Sequence, residues 1–339
     1  MERKSFCNFV IKLSFMKRIF NKLILSYLAI LLWVTACQNK NTLDIDVSKI
    51  SVPVRILRFD RDFYGQPVSK LPDIKQKYAF MFPPHIPDSI WAKKMQDSLL
   101  VDLKTQVDSV FPDLETYKPA IADVFKHITY YFPKFKAPKI VTLYSDWNYL
   151  KKAVYVDSLE LVSLDNFLGT NNRIYKGIPQ YIKQNMNPHN LPVAIAESIA
   201  ETQVAPPKSK TFLSKMINFG KRLYLLDAYL PKTPDSLKIG YSAEKMQWAK
   251  DNEEGVWQYF IDRELLYSSD QKLDMRFLNL APYSKFYSEQ DLYSPGYIGR
   301  YIGWQIVRSF MQKNKVSLQK MIRLPEDEIF KKSKYKPRK

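Results

Sequence analysis

The sequence predicts an α+β fold: a helix-rich single domain that carries a small antiparallel or mixed sheet. Long stretches with apolar residues at helical spacing flank one short region of alternating, β-branched segments. Only 9 of the 339 residues are glycine, well below the usual share of about 7%, which disfavours β-helices, turn-dense barrels and glycine-rich phosphate loops. Hydrophobic residues make up 46% and charged residues 25%, the balance of a chain with a core rather than of a disordered or collagen-like chain.

The predicted elements follow from hydrophobic spacing and from helix start and stop signals. In chain order they are a strand at 54–59, helices at 90–110 and 117–131, three short strands at 139–144, 153–156 and 159–164, and helices at 191–204, 212–229, 242–266 and 298–313. Polar turns separate the three short strands, which predicts a meander. No stretch has the composition of a linker, a repeat or a low-complexity tract, so we expect one domain over 53–330.

The amino-terminal segment has the pattern of a bacterial lipoprotein signal peptide. From Met16, a basic stretch precedes an apolar run of about a dozen residues, whereas a membrane span needs about 20. The run ends in Val34-Thr35-Ala36-Cys37, which resembles a lipobox: a branched apolar residue, two small residues, then the cysteine that is acylated. We expect 1–36 to be removed, with Met16 as the true start, and Cys37 to hold the chain on the bilayer through two or three acyl chains. Residues 37–52 then form the lipidated cysteine and a polar tether; the alternative is an uncleaved anchor helix with a chance cysteine.

The net charge of +18 is concentrated at the two ends of the chain. Residues 1–36 contain six Lys/Arg and one acidic residue, and the basic tail at 331–339 contains six Lys/Arg and no acidic residue, which leaves +7 on 37–330. The tail is expected to be a solvated charge run; contact with anionic lipid headgroups or with an acidic partner surface is the alternative. The body contains no zinc-finger spacing, RNP-type strand or glycine loop, so the sequence predicts no nucleic-acid partner.

Few residues are available for catalysis. No two of the three histidines, His85, His127 and His189, are four residues apart, so the HExxH helix of metallopeptidases cannot form. With Cys37 acylated the mature chain has no free thiol, and it has no GxSxG elbow, P-loop or GxGxxG motif. We expect no catalytic residue, no metal and no cofactor.

One segment keeps the HExxH spacing without its imidazoles. In Ala196-Glu197-Ser198-Ile199-Ala200 both histidine positions are alanine. Glu201 follows directly, and Glu253 and Glu254 lie downstream, where some zinc peptidases supply a third ligand. Carboxylates alone do not rebuild a tetrahedral zinc site of normal affinity. A degenerate site is therefore expected, although a glutamate between alanines is also common on ordinary helices.

The segment 294–311 combines glycines with aromatic and charged residues. Gly299 and Gly303 lie on one face of the predicted helix, beside Tyr297 and Arg300. Arg300 and Gln305 exclude a membrane-spanning helix. Two interpretations stay open: the glycines permit the close approach of another core helix, or the segment forms a cleft edge at which Arg300 meets a carboxylate. The candidate cleft contacts are Glu201, Glu253, Glu254, Tyr297 and Arg300.

Several long segments resemble the gliding motility-associated lipoprotein B family (GldB) of the Bacteroidota. They are the lipobox with Cys37, VRILRFDRDFY at 54–64, FKHITYYFPKFKAPKIVTL at 125–143, NEEGVWQYFIDRELLYSSD at 252–270, SPGYIGRYIGWQIVRSFM at 294–311 and the ending FKKSKYKPRK. The resemblance covers nearly the whole mature chain and implies a membrane-attached envelope protein needed for gliding, without assigned catalysis. The family in turn resembles predicted zinc peptidases, which implies a zincin-like scaffold whose metal-ligand positions are Ala196 and Ala200.

The sequence leaves three functions open. The leading prediction is a lipid-anchored, non-catalytic component of the gliding machinery, whose cleft binds a peptide or partner protein through Glu197, Arg300 and the tail. The second is a residual hydrolase that uses carboxylates or a metal held by Glu197, Glu201 or Glu254, which stoichiometric zinc in the purified protein would favour. The third is an envelope assembly factor independent of motility. The predicted partners are the bilayer, reached through Cys37, and other gliding or envelope proteins, in a periplasm-facing location at either the inner or the outer membrane.

Overall fold

Strands occur in the amino-terminal half of the described chain, and helices build the other half. The computed structural model describes residues 43–289 and 291–338; the predicted signal peptide and the lipidation site Cys37 lie outside the described residues. The strands are β1 Arg55–Leu57, β2 Lys139–Leu143, β3 Ala153–Val156 and β4 Leu159–Ser163. The helices of the first half are α1 Phe59–Phe63, α2 Leu71–Lys77, α3 Asp88–Met95, α4 Ser98–Val110, α5 Lys118–Tyr131, α6 Gln180–Lys183 and α7 Leu191–Gln203. Those of the second half are α8 Phe212–Tyr229, α9 Asp235–Ile239, α10 Ala243–Asp251, α11 Glu253–Asp262, α12 Lys272–Phe277, α13 Ile298–Lys313, α14 Leu318–Met321 and α15 Glu326–Ser333.

The four strands form a mixed sheet in the order β1-β2-β4-β3. β1, β2 and β4 run parallel, and β3 pairs antiparallel with β4. The predicted meander is therefore wrong, because β4 rather than β3 pairs with β2. Burial explains this order: Val162 on β4 is fully buried, whereas Val154 and Val156 on β3 are 39% and 44% exposed, as suits an edge strand. The predicted α+β class, helix-rich with a small mixed sheet, is confirmed.

Helices α8 and α13 match the predicted helices at 212–229 and 298–313, but two other predicted helices are each split in two. The 90–110 helix is interrupted at Asp97, whose carboxylate accepts hydrogen bonds from the backbone N–H groups of Leu99 and Leu100 and so starts α4. The 242–266 helix is interrupted at Asn252, whose side-chain amide donates to the carbonyl of Trp248 (2.9 Å). In both places a short polar side chain bonds to nearby backbone and ends a continuous hydrophobic spacing.

Helices α8 and α13 cross in direct backbone contact. A Cβ atom on Gly303 would lie 1.8 Å from the carbonyl oxygen of Met216, and one on Gly220 would lie 2.2 Å from the carbonyl oxygen of Gly303. A Cβ on Gly299 would lie 2.9 Å from the carbonyl oxygen of Phe277. No side chain fits at these points, so the interpretation that the glycines permit close helix approach is confirmed.

Buried ion pairs fix the helices around this crossing. Asp227 on α8 accepts hydrogen bonds from Nε of Arg308 (2.8 Å), Nε1 of Trp304 (2.9 Å) and Nζ of Lys238 (2.9 Å). Lys221, also on α8, pairs with Glu326 at the start of α15 (2.6 Å). Each of these buried charges lies against an opposite charge, and Lys221 also donates to the carbonyl oxygen of Leu324 (2.7 Å). Such pairing is the condition under which burial of a charge is tolerated.

The carboxy-terminal tail packs on the helical half. Helix α15 continues to Ser333, so the predicted boundary between domain and tail at 330/331 falls inside a helix. Beyond it, Oη of Tyr335 donates a hydrogen bond to Oε1 of Glu253 (2.8 Å), and its ring centre lies 5.2 Å from that of Trp257. The expectation of a solvated tail is corrected: the side chains of Lys331, Lys332, Lys334 and Lys336 are exposed, but Tyr335 is docked.

Helices of the described ranges 43–289 and 291–338 are all too short or too polar to cross a bilayer. Val47, inside the predicted tether, is 7% exposed, so packing against the domain begins before residue 53.

Candidate functional site

Helix α7 carries the HExxH spacing, and its two alanines face the core. Pro192 lies in the first turn, where its missing N–H removes no helical hydrogen bond. The small residues let α7 pack on α5, α8 and β3. Ala196 and Ala200 are both fully buried, so methyl groups occupy a closed space where the HExxH pattern places imidazoles. Within 43–289 and 291–338, no three His, Cys, Asp or Glu side chains are grouped so as to hold a metal ion.

Ser198 attaches α7 to the sheet. Its hydroxyl oxygen lies 2.6 Å from Oε1 of Glu160 on β4 and 2.8 Å from the carbonyl oxygen of Ile195. Burial raises the pKa of Glu160 to about 8, and the contact with Ser198 opposes this rise. A hydroxyl has one proton, so both short contacts are satisfied when Glu160 is protonated and donates to Ser198, which in turn donates to Ile195. The raised pKa favours a neutral carboxyl group at this contact between helix and sheet.

Glu197 points into a cleft. Its side chain is exposed to solvent, yet burial by the surrounding protein raises the pKa of its carboxyl group, and the positive charges of Arg300 and Lys152 oppose this rise. A carboxylate that water reaches and that protein surrounds lies on the floor of a recess. One helical turn later, Glu201 pairs with Arg222 (3.1 Å) at the exposed rim.

Arg300 forms one wall of the cleft and is held in place by three contacts. Its Nε donates a hydrogen bond to the carbonyl oxygen of Leu278 (2.6 Å), and its guanidinium carbon lies 4.1 Å from the ring centre of Phe219 and 5.1 Å from that of Tyr297. Burial lowers the pKa of Arg300, and the neighbouring Tyr297 and Glu197 raise it. An arginine stays charged in this setting, and its two Nη atoms have no hydrogen-bond partner in the described chain.

Two tyrosines position the start of α13, which carries Arg300. Oη of Tyr241 donates to the carbonyl oxygen of Gly296 (2.8 Å), and Oη of Tyr297 donates to that of Gly240 (3.2 Å). Tyr297 has φ of 46°, a left-handed conformation that costs a non-glycine residue on the order of 1 kcal/mol. The paired hydrogen bonds hold Tyr297 in this conformation, with its ring against Arg300.

Lys152 completes the cleft from the sheet side. It directly precedes β3, and its Nζ donates to the carbonyl oxygen of Asn185 (2.8 Å). Asn185 in turn donates through Nδ2 to the carbonyl oxygen of Gly240 (2.7 Å). Burial lowers the pKa of Lys152 to about 8, and the charge of Glu197 opposes this change. Sequence patterns do not distinguish Lys152 from Lys151, so its place in the cleft is not predictable from them.

The structure brings together only some of the candidate residues. Glu197, Tyr297 and Arg300 share the cleft, and Glu201 lies at its rim. Glu253 does not join them: it is 2% exposed and accepts hydrogen bonds from Tyr301 and Tyr335. Glu254, the next residue on α11, points to solvent. A separate surface recess of about 500 Å³ contains none of the cleft residues. Two of its three charged groups, Lys215 and Asp274, already pair with each other (2.8 Å).

The comparison with known families agrees with the resemblance seen in the sequence. The family described as gliding motility protein GldB matches residues 40–337. No curated protein matches the chain, and no solved structure does. The family match includes α7, β3, α13 and the docked tail, and it spans far more than half of the sequence. The chain therefore belongs to the GldB family of gliding motility proteins.

Proposed function

We propose that this protein is a non-catalytic binding component of the gliding machinery, anchored to the cell envelope by lipid on Cys37. The observation that carries the proposal is the cleft itself. It presents the carboxylate of Glu197, which has no ion-pair partner among the described residues, near Arg300 and Lys152. The helix that carries it has buried alanines at the HExxH positions. A recess with a few converging polar groups is suited to ligand binding. The chain lacks the imidazoles with which HExxH enzymes hold a zinc-bound water.

The neighbouring edge strand supports a peptide or protein as the ligand. The backbone N–H of Ser163 donates to the carbonyl oxygen of Lys152, which fixes the alternation along β3. The backbone groups of Ala153 and Tyr155 therefore point away from β4. β3 lies at the edge of the sheet, where such groups are positioned to pair with an added strand.

The proposed location is the periplasm-facing side of an envelope membrane. Membership of a lipoprotein family supports envelope association. The predicted lipobox ending at Cys37, followed by a polar tether, supports attachment through acyl chains rather than through a spanning helix.

Cell spreading tests the proposal. In a gliding bacterium whose own copy is deleted, the wild-type chain should restore spreading. Cys37→Ser should fail to do so and should leave an unprocessed, unlipidated precursor. Val156→Asp, which places a charge on the half-exposed face of β3, should reduce spreading because it disfavours docking of a partner along the edge.

Leu99→Asp is the matched control, since Leu99 is 64% exposed on α4 and Val156 is 44% exposed. It should spread like the wild type. If the deletion strain spreads normally but shows a defect in secretion or growth, the protein is instead an envelope factor outside motility.

A further inference from the structure

We propose that the cleft recognises a carboxylate group of its ligand through Arg300, with Lys152 adding positive charge near Glu197. This inference rests on the proposed binding function and names the chemistry that the cleft selects. It starts from the unused hydrogen-bonding capacity of Arg300, whose charge acts on Glu197 together with that of Lys152, although Glu197 has no ion pair with either in the described chain.

Arg300 is preorganised to bind an anion. Its Nε is already bonded to Leu278, and the rings of Phe219 and Tyr297 fix the plane of its guanidinium group. The end of the group that carries Nη1 and Nη2 has no partner in the described chain. Two parallel N–H donors match the two oxygens of a carboxylate, and little side-chain freedom is lost on binding because the group is already held.

Lys152 provides a second positive charge near Glu197. Its Nζ uses one proton for Asn185, and two remain. A pKa of about 8 keeps most of it protonated at neutral pH. Neither Lys152 nor Arg300 has an ion-pair partner in the described chain, in contrast to Arg222, whose charge is matched by Glu201.

The charge balance of the cleft favours an anion over a cation. Arg300 and Lys152 supply two positive charges, and Glu197 supplies at most one negative charge, since burial raises its pKa. One carboxylate on the ligand brings the balance to neutrality. Glu197 is left to accept a hydrogen bond from an N–H group beside that carboxylate, as a peptide carries at its carboxy terminus. An acidic side chain would supply the same group, and the test below separates the two sources.

The test measures binding of small probes to the full chain, purified from membranes in detergent and in a buffer without carboxylate or phosphate. The probes are N-acetyl-alanyl-alanine as the free acid, the same compound as its amide, and N-acetyl-aspartate amide, which carries only a side-chain carboxylate. By calorimetry the free acid should bind and the amide should not. Equal or tighter binding of the aspartate probe would assign the site to acidic side chains rather than to chain ends.

Arg300→Gln should weaken binding of the free acid by about tenfold or more, because it removes charge-assisted hydrogen bonds to the carboxylate. Lys152→Gln should weaken it severalfold, because it removes a positive charge near the site. Arg276→Gln is the matched control. Arg276 also stacks on two rings, those of Phe277 and Tyr287, and donates through Nε to a backbone carbonyl, but it lies outside the cleft. It should bind the free acid like the wild type.

Three results would overturn the inference: equal binding of acid and amide, no binding of either carboxylate probe, or full affinity in Arg300→Gln. Tighter binding of inorganic phosphate than of both carboxylates would also contradict it. Should Arg300→Gln fail to fold, Lys152→Gln and the acid–amide comparison decide the question. Cell spreading of Arg300→Gln and Lys152→Gln is scored separately. A variant that loses probe binding but spreads normally contradicts the proposed function alone. A variant that keeps probe binding but loses spreading contradicts the carboxylate inference alone.

Discussion

Glu160 shows how a single buried residue makes the stability of this protein depend on pH. Its folded-state pKa of about 8 lies above the 4.5 of an exposed glutamate, because burial disfavours the charged form. Oε2 of Glu160 has no hydrogen-bond partner in the described chain. Below pH 4.5 Glu160 is protonated in both the folded and the unfolded chain, so the contribution of the protonated group to stability is complete there. It is lost as the pH rises toward 8, because the unfolded chain releases this proton first.

Glu160→Gln should remove this loss while keeping a neutral group of similar shape against Ser198. Relative to the variant, the wild type should lose up to about 1.4 kcal/mol of unfolding free energy per pH unit between pH 6 and 8. Urea unfolding at a series of pH values measures the difference.

Asp165→Asn is the control for the Glu160 prediction. Burial raises the pKa of Asp165 only to about 6, with Ser145 opposing, so its titration is nearly complete above pH 7. Between pH 7 and 8 this variant should follow the slope of the wild type. If the unfolding free energies of the wild type and of Glu160→Gln changed with pH in parallel, Glu160 would be ionised in the folded state.

At the residue scale, sequence reasoning found the cleft residues that belong to a motif and missed those that do not. Glu197 and Arg300 stand in distinctive segments, and the structure places them together. Lys152 and Asn185 reach the cleft from loops far away in sequence. Glu253 was predicted to contact the cleft because it lies downstream of the HExxH spacing, but its side chain bonds to Tyr335 in the tail instead. Which face of a helix meets a cleft is decided by tertiary packing, which a local motif does not contain.

At the element scale, the crossing of α8 and α13 depends on two glycines with no space for a side chain. Gly303→Ala should destabilise the protein by about 2 kcal/mol or more, because a methyl group at 1.8 Å from a carbonyl oxygen forces the helices apart. This exceeds the gain of about 1 kcal/mol that alanine brings to a helix.

Gly255→Ala is the matched control for this crossing. Gly255 lies in α11 and is exposed, and no described atom outside its own helix and chain neighbours lies within 4 Å of the position that an added methyl group would take. The same change should therefore stabilise the protein by about 0.5–1 kcal/mol. Thermal and urea unfolding compare the two variants. Equal stability of both would show that the helices adjust without cost.

Helices were more predictable than strand pairing because their signals are local. The spacing of apolar residues gave α8 and α13 their bounds, whereas the caps at Asp97 and Asn252 divided two longer predictions. The order of the strands depends on which strands lie between two neighbours in the sheet. That is decided by helices distant in sequence, and so the meander was predicted in place of the β2–β4 pairing.

At the scale of the whole molecule, the basic end of the chain is part of the fold. Lys313 on α13 donates to the backbone carbonyls of Ser333 and Lys334 (2.8 Å each). Glu253, 2% exposed, accepts hydrogen bonds from Tyr301, from Tyr335 and from the backbone N–H of Arg338. Counting charges predicted a solvated tail because such a count includes the lysines and leaves out Tyr335, which lies between them.

Truncation after Ser333 should therefore destabilise the whole domain, because it leaves a buried carboxylate with Tyr301 as its remaining side-chain donor and uncovers the ring of Trp257. We expect a loss of about 2–4 kcal/mol of unfolding free energy, measured by urea unfolding of the otherwise intact chain. The double variant Lys331→Gln/Lys336→Gln removes two exposed charges of the same segment and should unfold like the wild type. If that variant lost as much stability as the truncation, the tail would act through its charge. If the truncated chain were as stable as the wild type, the contacts of the tail with Glu253 would contribute nothing to the unfolding free energy.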